Sequence, residues 1–336
     1  MTYPWGIGVA TGVGSLPHVD PDEAARVVTG ELADLPHLPE LPQRGAGADM
    51  IGRTASLLVD LHVDLQPAGW RLTDRPGADE RGARALLRAD LDALEIAALG
   101  YSGPLKLQVT GPLTLAASME RPRGDRALAD YGIRRDLAQS LAEGVREHVA
   151  DVATRVPAAQ IVVQLDEPSL PAVLAGAIST SSGFGRHRAV DTAEGEQLLA
   201  EVVRSAGEWA VVHCCASGVP VRLVRRAGAQ AVSLDAGLLS GNVLDELAEA
   251  MDDGLAVWPG IVPSRRPDSV PSDRELVERL ERLFTRLDAD PAGAAAGTVV
   301  TPVCGLAGAD VGWAREAYRL ARDVAREFAE HVGAAR

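Results

Sequence analysis

Short apolar runs alternate along the chain with longer stretches in which leucine, valine and alanine recur every three or four positions. The first pattern is that of buried strands, the second that of helices laying one face on a core. Runs at residues 7–13, 36–41, 105–110, 161–166, 210–215, 231–235, 255–258 and 299–304 predict eight strands. Helices are predicted between them, over 22–32, 83–99, 125–154, 193–205, 219–227, 243–251, 273–287 and 312–331. The first opens at Asp20-Pro21, an aspartate cap followed by a proline in the first turn. The second carries Leu86, Leu87, Leu91, Leu94, Ala97 and Ala98 at helical spacing and stops at Gly100. Residues 43–79 break the alternation. They hold the run 56–65 and turns at Gly69 and Pro76-Gly77, and read as an insertion after the second strand, either a hairpin or a lid. Strand followed by helix eight times, with no change of composition and no linker, predicts an α/β protein forming one (β/α)8 TIM barrel domain over 1–336. A doubly wound open sheet is the alternative arrangement of the same units.

Several of these runs end in polar groups suited to chemistry. Ala210-Val211-Val212-His213-Cys214-Cys215 ends in an imidazole and two thiols, and side chains alternate along a strand, so His213 and Cys215 face one way and Cys214 the other. Cys304 closes the last run and Asp235 closes 231–235. A free cysteine taken alone is more often a small buried hydrophobe. Here every cysteine in the chain, one histidine and one aspartate fall at strand ends, and His213, Cys215, Asp235 and Cys304 make a donor set that zinc accepts. Ser15, Glu40 and Asp166 also end strands. In a barrel all of these share the face where barrel enzymes place their chemistry.

Composition narrows the classes. The 336 residues are 46% hydrophobic and 24% charged, which fits a globular protein with a sizeable core. A net charge of −14 gives no electrostatic footprint for nucleic acid, and the pair Arg265-Arg266 is too small to reverse it. Three cysteines, two of them adjacent, make no disulfide framework and fit a reducing, cytoplasmic setting. No run approaches the ~20 apolar residues of a membrane span, and the N-terminus lacks the pattern of a signal peptide.

Val13-Gly14-Ser15-Leu16-Pro17, Thr110-Gly111-Pro112-Leu113-Thr114, Gln164-Leu165-Asp166-Glu167-Pro168, His213-Cys214-Cys215 and Cys304-Gly305-Leu306 resemble, in order and spacing, the motifs of the C-terminal barrel of cobalamin-independent methionine synthase. The resemblance extends loosely to the uroporphyrinogen decarboxylase superfamily. It implies a methyltransferase that forms methionine on the thiol of homocysteine, with zinc held by His213, Cys215, Asp235 and Cys304. The family usually has glutamate where Asp235 stands. The resemblance assigns the amino acid to Gly14, Ser15 and Asp166, with Glu40 as a second carboxylate. A metal suits the task, because a free thiol titrates near 8.5 and only its thiolate is a good nucleophile.

The donor side departs from the family. Leu115-Ala116-Ala117-Ser118 has no aromatic where a tryptophan would stack on folate, Pro171-Ala172 stands in place of a glutamate, and Pro263 and Arg265 occupy the positions of an aspartate and a histidine. The expected donor is therefore not methyltetrahydrofolate but something else, such as a methylcorrinoid or its carrier protein. Other readings are transfer to a different small thiol, a porphyrinogen-decarboxylase-like enzyme, and a non-catalytic zinc or ligand-binding protein.

Overall fold

The computed structural model describes residues 3–334. The strands are β1 (Val9–Ala10), β2 (His62–Gln66), β3 (Gly69–Thr73), β4 (Pro104–Thr110), β5 (Gln160–Asp166), β6 (Ala210–Cys214), β7 (Ala231–Asp235), β8 (Ala256–Val262) and β9 (Val299–Pro302). Among the described residues seven of them form one parallel sheet in the order β1-β9-β8-β7-β6-β5-β4, and β2 and β3 pair as an antiparallel hairpin. This is an α/β fold with a curled parallel sheet.

The run 36–41, expected as the second of eight strands, is not a strand of the sheet. It touches both edges through isolated parallel bridges, His37 to Lys106 and Ser15 to Glu40. Leu38 N donates to Lys106 O at 2.9 Å and Lys106 N to Pro36 O at 2.9 Å, while Leu16 N donates to Glu40 O at 2.8 Å and Glu40 N to Gly14 O at 3.1 Å. The composition explains the broken ladder. Pro36 and Pro39 carry no N–H, and Pro42 opens a 3-10 turn directly after the run, so no continuous pattern can form.

Strand parity builds the interior in layers. Val162, Val211, Ala231, Ala256 and Val299 pack with Trp5, Trp209 and Trp258 in a buried apolar cluster. Two residues further along β5 and β6, on the same face, stand Gln164 and His213, and β4 adds Lys106 and Gln108. The inner face therefore runs from tryptophan to charge. The opposite faces, with Val109, Leu165, Val212, Cys214, Leu234 and Val257, are packed in the main core with the helices. Cys214 is fully buried there, and burial pushes its thiol up to about 12.

Helix positions follow local chemistry. The long helix Tyr131–Arg155 starts later than the predicted 125 because Asp130 caps it, accepting from Ile133 N at 3.1 Å. A helix that periodicity did not predict, Pro112–Ser118, follows β4, with its proline in the first turn. The insertion forms two 3-10 turns, the helix Met50–Ala55 and the β2–β3 hairpin. Among the described residues no helix is long and apolar enough to cross a membrane.

The insertion is pinned to the long helix where Gly144 meets the carbonyl of Leu57, and Ser140 Oγ donates to Val59 O at 2.6 Å. A Cβ at position 144 would lie 2.0 Å from Leu57 O, so backbone has to move. Gly144→Ala is expected to cost about 1–3 kcal/mol, seen as a lowered urea midpoint with an unchanged slope.

Candidate metal and substrate site

β6 and the turn after β9 bring three metal-ligating side chains together. One ligand atom from each of His213, Cys215 and Cys304 lies within 4.8 Å of the others. The two Sγ atoms are 3.3 Å apart, well beyond the bonded distance of about 2.05 Å. His213 Nδ1 is 2.9 Å from Ser233 Oγ, which fixes the ring, while Nε2 is buried with no protein partner. A buried nitrogen left without a partner beside two thiols is what a metal site requires of its ligands. The Cys304 thiol is pushed down to about 4 by its hydrogen bond to Cys215, aided by His213, and Cys215 is pushed up in return.

Asp235 stands apart from the three. It ends β7 and its Oδ1 accepts from Gly237 N at 2.8 Å, capping the turn Ala236–Leu238. It lines a neighbouring cavity of about 490 Å³ whose wall includes Arg279, Arg282 and Arg286.

A cavity of about 400 Å³ opens beside the thiols. Its lining includes Gly14, Ser15, Glu40, Asp166, His213, Cys215 and Cys304, so seven of the eight residues singled out from sequence converge on one space. Asp49 and Met50 of the insertion complete the wall. Glu40 and Asp166 are buried carboxylates whose protonation is favoured by desolvation; the Asp166 carboxyl is also raised by Glu40, and nearby Arg53 and Lys106 oppose the rise at Glu40. Close approach sets two glycines. A Cβ on Gly305 would sit 2.1 Å from Ser15 Oγ, and one on Gly14 would meet Gln108 at 2.9 Å.

Three groups escaped the sequence reading. Lys106, in the middle of β4, is fully buried and pushed down to about 8 by desolvation. Arg53 lies 3.9 Å from Glu40 and 2.9 Å from Asp90, which Arg44 also grips. Glu167 faces away from the cavity. Its oxygens accept from Leu113 N at 2.9 Å, Thr114 N at 2.8 Å and Thr114 Oγ1 at 2.7 Å, so it clamps the N-terminus of the helix Pro112–Ser118. Parity could have revealed this, because adjacent residues at a strand end point to opposite sides.

The chain is an enzyme of the methyltransferase class. It belongs to the family described as cobalamin-independent synthase, catalytic domain, whose model matches residues 9–327. Its fold is similar to that of the B12-independent methionine synthase from Shewanella sp. W3-18-1 solved in complex with selenomethionine, with a TM-score of 0.63 and 13% identity over 98% of each chain. A weaker likeness joins it to D-psicose 3-epimerase from Clostridium cellulolyticum H10 with D-tagatose, with a TM-score of 0.38 and 12% identity over 73% of this chain and 83% of the other. No curated protein matches the chain.

Glu167 supplies acceptors to three donors, and an isosteric amide would turn an N–H group toward them. Glu167→Gln is therefore expected to destabilise the fold by about 1–3 kcal/mol, and a chemical denaturation curve indistinguishable from that of the parent would refute the clamp.

Proposed function

We propose that the chain methylates the thiol of homocysteine to give methionine, at a zinc centre held by His213, Cys215 and Cys304 with Asp235 as the fourth ligand. The observation that carries this is the buried, unpaired Nε2 of His213 beside two thiols, in the same cavity as two buried carboxylates. The donor set fits zinc, since one imidazole and two thiolates are ordinary ligands for it. When bound there, zinc would supply Lewis-acid stabilisation of a substrate thiolate at neutral pH. For Asp235 to join, its carboxylate must reach the thiols past the Gly237 contact, and its neighbourhood to Cys304 and His213 supports that placement.

The rest is work for the chain's own residues. Glu40 and Asp166 offer two acceptors for the ammonium of an amino acid, and Ser15 with the backbone at Gly14 offers polar contacts from the first strand. With the ammonium at the carboxylates, the side chain of a short thiol amino acid extends toward Cys215 and Cys304. Orientation of this kind accounts for much of the rate of a bimolecular transfer. The selenomethionine bound in the Shewanella protein is a close analogue of the proposed product.

The same reading takes 36–41 as the eighth strand of a (β/α)8 barrel, one domain carrying 43–79 as an insertion, and places the enzyme in the cytoplasm. Its two bridges to β4 and to Gly14-Ser15 support closure. The family's ordinary donor is methyltetrahydrofolate. A methylcorrinoid is proposed here only on the altered residues at 115–118, 171–172, 263 and 265.

Purified protein is expected to carry about one zinc per chain, lost in His213→Ala and Cys304→Ala with the fold retained by circular dichroism, and reduced in Asp235→Ala. Incubation with homocysteine and, separately, methylcobalamin or methyltetrahydrofolate then identifies the donor by methionine formed. Zinc-free parent protein, or methionine formation that survives loss of both ligands, would sink the proposal.

A further inference from the structure

Beneath the carboxylates lies a cation that no part of the proposed chemistry uses. Lys106 is fully buried, and its Nζ donates to Val13 O at 3.0 Å, Gln108 Oε1 at 3.2 Å and Gln164 Oε1 at 2.9 Å. Three acceptors account for all three N–H groups of an ammonium. Each glutamine then passes the interaction on. Gln164 Nε2 donates to Asp166 Oδ1 at 2.7 Å and to Val13 O at 2.8 Å. Gln108 Nε2 donates to Leu38 O, and its side chain lies beside Glu40, whose ionised form it favours.

The ammonium, together with the carbonyls of Val13 and Leu38, thus sets which way both amides face. With Oε1 of each glutamine held by Nζ, the amide N–H groups must point outward, toward the carboxylates. A neutral side chain at 106 would free either amide to turn its oxygen onto a carboxylate. Burial points the same way. Glu40 and Asp166 line the cavity as buried carboxylates, and Lys106 is a buried cation that favours the ionised form of both. Without it that support is lost in a buried setting, where unpaired charge is costly.

We infer that Lys106 is a positioning residue that makes the cavity select thiols bearing an α-ammonium group, acting through Gln164 and Gln108 on Asp166 and Glu40 without touching substrate. This rests on the reading of the cavity as the amino-acid site given above.

The test compares Lys106→Met with the parent as zinc-loaded proteins. Calorimetry measures binding of homocysteine and of 4-mercaptobutanoate, which is homocysteine without its amine. The parent is expected to favour homocysteine. In Lys106→Met the homocysteine affinity should fall about tenfold or more, with 4-mercaptobutanoate affinity and zinc content little changed, so that the preference collapses. A merely structural role would weaken both ligands alike and keep the ratio, which overturns the inference. Gln164→Leu, which cuts the link from Lys106 to Asp166 and leaves the lysine in place, should lower the same ratio and carries the test if Lys106→Met does not fold. If the parent binds zinc but neither thiol, the amino-acid reading itself fails. If the parent prefers homocysteine and neither variant changes the ratio, only the role of Lys106 falls.

Discussion

The site depends on the register of β5 against β6. Asp166 is paired with His213, and Gln164 with Val211, so a carboxylate that faces the cavity and an imidazole that faces the thiols stand side by side on the inner face. Glu167 N donates to His213 O at 2.8 Å, which carries the ladder one step beyond the strand. Because side chains alternate, that step turns Glu167 outward onto the helix Pro112–Ser118. A slip of one residue would exchange the two sets, placing Leu165 and Cys214 in the cavity and the imidazole among the helices. The Asp-Glu-Pro and His-Cys-Cys motifs are therefore one geometric unit, with an inner member for chemistry and an outer member for packing in each.

Holding charge inside such a sheet is expensive, and the structure shows how it is contained. The apolar floor of Trp5, Trp209 and Trp258 excludes water from below. Above it Lys106, Gln108 and Gln164 bind one another, and behind Glu40 Arg44 and Arg53 share Asp90. Networks of this sort add little net stability once desolvation is counted, but breaking one member leaves the others unpaired. Their contribution is to geometry. His37 Nε2, 2.8 Å from the hydroxyl of Tyr318, extends the same logic toward the C-terminal helix, where Gly12 leaves no room for a side chain.

Much of the site was legible because a polar residue closing an apolar run is conspicuous, and parity says which neighbours share a face. His213, Cys215, Cys304, Ser15 and Asp166 were found in this way. The run 36–41 differs from a regular strand because hydrophobicity marks it as buried but does not register that Pro36 and Pro39 interrupt its hydrogen bonding. Lys106 gave no local signal. A lysine amid Leu105, Leu107 and Val109 reveals nothing about the acceptors it meets from residues far away in sequence. Arg53 and Asp90 were invisible for the same reason, since they join the insertion to the helix Ala78–Ala97 across 37 positions. The Gly237 contact that draws Asp235 away from the thiols is local, but apolar patterning does not record how a turn is capped.

The arrangement also separates two decisions that a thiol methyltransferase has to make. In the proposed reading sulfur activation falls to His213, Cys215 and Cys304, which meet where β6 and β9 end, and none of these would distinguish one small thiol from another. In the same reading recognition of the rest of the acceptor falls to Glu40 and Asp166, which line the cavity beside the glutamines of β4 and β5. A cavity of about 400 Å³ lies near the small end of ligand pockets, a size for one amino acid rather than for an amino acid and a methyl donor together. The thiols and imidazole stand after β6 and β9 and the carboxylates on β5 and the 36–41 segment, so either set can change on this scaffold without moving the other.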